Sequence, residues 1–157
     1  YEYDGTSWTN GGALNNARRA LRGSGTLPAG LAIGGYADPP GAYLTNVEEY
    51  DGTNWTSGGT HPTAHGGNIV SGTQTDAFQY TGYVSNPFTT TANYDGTSWT
   101  ANAALGTAIS SSGGSTGQGS GSSQIQGGGS TPSTPSSTVS QEFTTAGTET
   151  KTVTTST

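Results

Sequence analysis

This sequence predicts an all-β chain of four-stranded antiparallel repeats, on three observations. The segments Tyr3-Asp4-Gly5-Thr6-Ser7-Trp8, Tyr50-Asp51-Gly52-Thr53-Asn54-Trp55 and Tyr94-Asp95-Gly96-Thr97-Ser98-Trp99 recur at intervals of 47 and 44 residues, close to the length of one unit in a repeat array. Thr and aromatic residues favour strands while Gly and Asn favour turns, and the 157 residues include 27 glycines but only 28% hydrophobic residues. Leu31-Ala32-Ile33 is a short apolar run closed by Gly34-Gly35, which reads as an inner strand rather than a helix.

Each element follows from its residues. Asp-Gly between a Tyr and a Trp signals a tight hairpin, because Gly tolerates positive φ in a two-residue turn. The flanking aromatics then lie on adjacent strands. Aligned on Trp, the first two repeats match without a gap: Ala17 meets Ala64, Gly25 meets Gly72, and Leu31 to Tyr36 meets Phe78 to Tyr83. Pro39-Pro40-Gly41 and Asn86-Pro87 mark the loops that follow. The third repeat keeps Leu105 and Ala108 and then dissolves into Gly and Ser. The expected organisation is repeat 1 over 1–49, repeat 2 over 50–93, a degenerate repeat 3 over 94–141, and terminal strands over 142–157. Within repeat 3, residues 110–138 read as a flexible insertion, with O-glycosylation of its Ser/Thr/Pro run as the sharper alternative. Gln124-Ile125-Gln126-Gly127-Gly128 stands inside it as a degenerate apolar Gly-Gly strand. Asn54-Trp55-Thr56 is a glycosylation acceptor by pattern, but the repeat consensus explains it better.

An apolar strand ending in Gly-Gly, then a Tyr, then a Trp a few residues on, resembles the kelch repeat. The Trp-Thr-Asn-Gly-Gly and Ala-Arg wording over roughly residues 1–105 is also similar to kelch-like arrays in bacteriophage tail-fibre and structural proteins. The resemblance implies β-propeller blades, or an open or oligomeric array of them. The Gly-Gly strand would be second in each blade, and Tyr and Trp would lie on the third and fourth. The chain would then open with the last two strands of a blade, and three further blades would follow. A closed ring needs at least about four blades, so the implied partners are copies of this chain or upstream repeats of a longer one. The resemblance gives Arg18 the role of bracing neighbouring blades; that position becomes His65 and then Ile109. The double glycine departs from the pattern in repeat 2, which has Thr81-Gly82.

Charge and chemistry narrow the function. A net charge of −6 with four Lys and Arg speaks against a nucleic-acid partner, which needs basic residues to release counterions; Arg18, Arg19 and Arg22 read as solvated or packed between blades. There is no Cys, hence no disulfide or thiolate site, and no apolar run long enough for a membrane span. His61 and His65 are four apart with Pro62 between them, so they read as structural rather than as zinc ligands. Asp4, Asp51 and Asp95 recur with the repeat, which points to turn formation. Glu48 and Glu49 read as solvated. No nucleophile–base pair or nucleotide fingerprint appears, so no catalytic residue, cofactor or metal is assigned. Trp8, Trp55 and Trp99 are expected in the core between units. Tyr36, Tyr43 and Tyr83, beside variable loops, are the candidate contacts for a sugar or protein surface.

The reading is a non-enzymatic structural or attachment protein of tail-fibre or appendage type, extracellular or on a virion, with cell-surface glycan as a candidate ligand. The alternatives are a subunit of a self-assembling extracellular filament and a galactose-oxidase-like enzyme. The second is disfavoured by the lack of Cys and of clustered metal ligands.

Overall fold

The computed structural model describes residues 1–85, 88–109, 116–120, 123–128, 130–131, 140–144 and 151–152, and among them every element is a strand. The expected Asn86-Pro87 loop and most of 132–139 and 145–157 lie outside the described residues. No described helix is long and apolar enough to cross a membrane.

The chain opens with a two-stranded sheet of β1 (Glu2–Tyr3) and β2 (Trp8–Thr9). Three four-stranded antiparallel meanders follow. The first holds β3 (Arg22–Thr26), β4 (Ala29–Ile33), β7 (Val47–Tyr50) and β8 (Trp55–Ser57). Between its second and third strands a small hairpin of β5 (Tyr36–Ala37) and β6 (Ala42–Tyr43) stands out. The second holds β9 (Ile69–Thr73), β10 (Asp76–Tyr80), β11 (Thr91–Tyr94) and β12 (Trp99–Asn102). The third holds β13 (Thr116–Ser120), β14 (Ser123–Gly127), β15 (Ser140–Thr144) and β16 (Lys151–Thr152). Thus the Gly/Ser-rich stretch expected as a flexible insertion supplies two strands, and β14 coincides with its degenerate Gly-Gly run.

The first strands of successive sheets lie side by side: β9 packs next to β3 and next to β13. None of the sheets closes into a barrel. The second strands of the first two sheets are covered on both faces, which is why they are the apolar ones. Leu31, Ala32 and Ile33 of β4 and Ala77, Phe78 and Tyr80 of β10 are all buried, each large side chain contributing about 1.5–3 kcal/mol. The third strand of one sheet packs on the second strand of the sheet before it. Tyr94 joins Leu31, Ile33 and Val47 in one cluster, and the Phe143 ring lies 4.5 Å from that of Phe78.

The Tyr-Asp-Gly-Thr-Ser/Asn-Trp hairpins differ from the expected two-residue turn. Tyr3 pairs directly with Trp8, Tyr50 with Trp55 and Tyr94 with Trp99, so each loop has four residues. The Asp carboxylate closes it. Asp51 Oδ1 accepts the amides of Thr53 and Asn54 at 2.8 Å each, and Asp4 and Asp95 do the same for their loops. These bonds hold the three exposed carboxyls below their ordinary pKa. Gly52 takes a φ of 94°, with Gly5 and Gly96 alike.

Candidate binding site

Beyond the end of the second strands, the backbone gathers the three tyrosines singled out from the sequence. Tyr36 and Tyr43 face each other across the β5–β6 hairpin, rings edge to face at 5.1 Å. Tyr83 stands edge to face with Tyr43 at 6.4 Å. Tyr36 and Tyr83 occupy equivalent places in the two repeats and are held equivalently. Tyr36 exchanges backbone bonds with Arg19 at 2.9 and 2.7 Å, and Tyr83 exchanges them with Gly66 at 3.0 and 2.9 Å. Gly67 N–H donates to the Ala20 carbonyl at 2.9 Å and ties the two bridges together. The row of rings therefore rests on a hydrogen-bonded backbone, not on a free loop.

The sequence reading missed Arg19 as a member. Its guanidinium carbon sits 4.8 Å from the Tyr36 ring centroid, within cation–π range. The available signal was positional: Arg19 aligns with Gly66, so the repeat loses its side chain at the second site. Tyr83 is 41% exposed, and Tyr36 and Tyr43 are half-buried. The row thus presents Tyr83 and the exposed Arg19 to solvent, with Tyr36 and Tyr43 half-buried beside them.

The buried polar groups are bracing. The Arg18 guanidinium pairs with Glu48, and both side chains are shut off from solvent. Burial pushes the Glu48 carboxyl up, but Arg18 and the amides of Asn15 and Asn16 outweigh it and hold it below the ordinary range. The sequence expectation that Glu48 and Glu49 are solvated therefore fails at Glu48, which is fully buried, while Glu49 is half-buried. They lie in β7, where Glu48 turns inward to Arg18 and Glu49 accepts the Tyr94 hydroxyl.

Where repeat 1 has Arg18, repeat 2 has His65, fully buried, with its ring 4.3 Å from that of His61. Thr63 N–H donates to His61 Nδ1 at 3.1 Å, and His61 Nε2 meets Gln79 Oε1 at 3.0 Å. Gln79 in turn donates to the Thr81 carbonyl. Repeat 3 fills the same position with Ile109, also fully buried. Among the described residues no three His, Cys, Asp or Glu side chains converge as metal ligands.

The core placement expected of the tryptophans fails at Trp8. Trp8 is 68% exposed, because the two-stranded first sheet has no inner strands beside it. Trp55 and Trp99 are half-buried. Each packs on its paired tyrosine at 5.0 Å, and Trp99 also lies against the core cluster of Leu31, Ile33, Val47, Ala77 and Tyr94. A cleft of about 200 Å³ beside Trp55 is lined by Tyr1, Glu2, Leu27 and Tyr50, and its one carboxylate is already taken by the Tyr50 hydroxyl. No family model matches this chain, and neither does any curated protein.

Proposed function

We propose that this chain is a non-enzymatic structural or attachment protein built of kelch-type propeller blades, extracellular or carried on a virion. We further propose that it recognises surface glycans through Tyr36, Tyr43 and Tyr83. The observation that carries the reading is the convergence of three tyrosines from two repeats, with Arg19 on Tyr36. Aromatic rings cover the apolar faces of sugars while hydroxyls bond their rims. A guanidinium fork matches a sugar carboxylate, so acidic glycans would bind best. The meanders set these residues on rigid backbone, which lowers the ordering cost of binding.

The test is a panel of neutral and acidic oligosaccharides titrated against the full chain and against Tyr83→Ala and Tyr36→Ala. Each variant should weaken binding by roughly three- to tenfold, and Arg19→Ala should weaken only the acidic members. No binding across the panel, or binding untouched by these substitutions, would overturn the reading.

A further inference from the structure

His65 is a backbone junction beneath the tyrosine row. Its N–H donates to the Leu44 carbonyl at 3.2 Å, and its carbonyl accepts from Gly35 N–H at 2.8 Å. Leu44 follows Tyr43 and Gly35 precedes Tyr36, and Leu44 N–H closes the circuit on the Gly35 carbonyl at 2.9 Å. The next residue, Gly66, holds Tyr83, and the Tyr43 ring lies 3.0 Å from where a Cβ on Gly66 would stand. Four residues before His65, His61 N–H donates to the Thr45 carbonyl at 2.9 Å. The two histidines therefore fasten the β5–β6 hairpin, and with it Tyr36 and Tyr43, to the bridge that carries Tyr83.

The imidazoles below this backbone are arranged for the neutral state. Thr63 serves both rings from their own loop: its carbonyl accepts from His65 Nδ1 at 2.6 Å, and its N–H donates to His61 Nδ1 at 3.1 Å. His65 Nε2 is buried without a partner and stands 3.1 Å from the Cβ position of Gly34, just past β4. A proton arriving there finds no acceptor. A proton arriving at His61 Nδ1 turns to the Thr63 carbonyl 2.8 Å away, which His65 already occupies. From other elements the rings face Gln79 of β10, Trp99 of β12 and Phe88, none of them charged. Arg18, whose Cδ lies against Gly35, is paired with Glu48, and Glu49 of the same strand takes the Tyr94 hydroxyl. Among the described residues, the only charge that bears on either imidazole is that of the other histidine.

We propose that His61 and His65 form an acid-operated latch on the tyrosine row, which holds the row together while both rings are neutral and releases it, with its ligand, when the pair takes up a proton. The ligand rests on the glycan reading; the movement of the row does not. Burial holds both imidazoles below their ordinary value, so the released row binds protons more readily than the closed one, and falling pH favours release.

The experiment compares the full chain at pH 7 and pH 5, where its two histidines titrate and most carboxylates do not. The first readout is amide hydrogen exchange by NMR, corrected for intrinsic rates. Protection at Gly66 and Tyr83 should fall by about tenfold or more, and by more than at Leu31 and Ala32 of β4. It should stay level in His61→Gln with His65→Ile, which gives position 65 the residue type found at Ile109. His61→Gln alone should lessen the fall, and serves where the double variant does not fold. The second readout is the affinity of the best-bound oligosaccharide, which should be weaker at pH 5 by about threefold or more in the wild type. Protection that stays level, that falls equally throughout the chain, or that falls as steeply in the variants would overturn the latch. Equal affinity at both pH values would overturn release of the ligand. No binding at pH 7 would overturn the glycan reading alone, and the exchange pattern would still decide the latch.

Discussion

The Tyr94 hydroxyl donates to the Glu49 carboxylate across the boundary between two sheets, and the next boundary has lost both partners together. There Asn93 stands in for the glutamate and accepts from Asn102 at 2.8 Å, and Phe143 stands in for the tyrosine. The loss of donor and acceptor at one boundary leaves neither group buried and unpaired, which would cost more than the bond is worth.

Tyr94→Phe is expected to destabilise the chain by about 1–2 kcal/mol, because a hydrogen bond to a charged acceptor is lost while the half-buried Glu49 regains water. Phe143→Tyr alone should gain little, since its acceptor position holds Asn93. Asn93→Glu with Phe143→Tyr should gain more than the two single changes summed, measured by denaturant unfolding as a double-mutant cycle. Burial, then the Glu49 bond, pushes the Tyr94 hydroxyl up to about 12, above its ordinary value of 10.0. The unfolded chain therefore loses this proton first, and stability should fall as pH rises from about 10 to about 12. Tyr94→Phe should flatten that fall.

Gly59 tests the same boundary by shape. A Cβ there would stand 2.5 Å from the Thr97 carbonyl oxygen, and one on Gly12 would stand 2.5 Å from that of Thr53. Both obstacles are backbone atoms of the Asp-Gly-Thr loop in the following sheet, so neither can step aside. Gly59→Ala is expected to cost about 1–3 kcal/mol, read as a lowered denaturation midpoint. Gly5→Ala lacks the steric part, since nothing lies within 4 Å of its Cβ position, and carries only the strain of its positive φ.

Arg18 and Glu48 predict a different pattern. Removing one member of a buried ion pair strands the other, so Glu48→Ala should cost about 3–5 kcal/mol. Replacing both, as Arg18→Met with Glu48→Leu, should cost much less than Glu48→Ala alone. The chain already places an apolar side chain where Arg18 stands, since Ile109 fills the equivalent place in the third repeat. A double variant as unstable as Glu48→Ala would show that the charges themselves are required.

Local signals made the repeats legible in sequence. Asp-Gly between aromatics marks a hairpin whatever surrounds it, and Leu31-Ala32-Ile33 before Gly34-Gly35 marks a strand covered on both faces. The glycines are needed there, since a Cβ on Gly34 would sit 2.5 Å from the His65 carbonyl oxygen. Thr81, which replaces Gly34 in the second repeat, is held at a φ of 56° instead. What depends on distant partners was not legible. Glu49 looks solvated until Tyr94 is placed over it, and Trp8 looks like core until its sheet is seen to have two strands. The tyrosine row was half legible: its members were chosen for polarity and position, but their convergence needs the paired bridges at Arg19 and Gly66.

The last prediction concerns acid. Burial, reinforced by the neighbouring His65, lowers His61 from its ordinary value of 6.5 to about 4, and burial lowers His65 as well. With a neutral His61 ring, Nε2–H donates to Gln79 Oε1 and Nδ1 accepts from Thr63 N–H. A proton on Nδ1 would exchange the bond from Thr63 N–H for one to the Thr63 carbonyl at 2.8 Å, and would set a buried charge 4.3 Å from the other imidazole. The unfolded chain accepts that proton near pH 6.5, and the fold refuses it until about 4. Between those values the unfolded state binds more protons, so stability falls as pH drops, by on the order of 3 kcal/mol for His61 alone. The loss should be complete near pH 4. The lowered carboxyl of Glu48 adds its own loss only below its ordinary value of 4.5, so the upper part of the window belongs to the histidines. Denaturant unfolding at steps from neutral pH to about 5 should show the midpoint sliding down in the wild type and much less in His61→Gln. A wild-type midpoint that stays level across that range would mean that these imidazoles meet water in the folded chain.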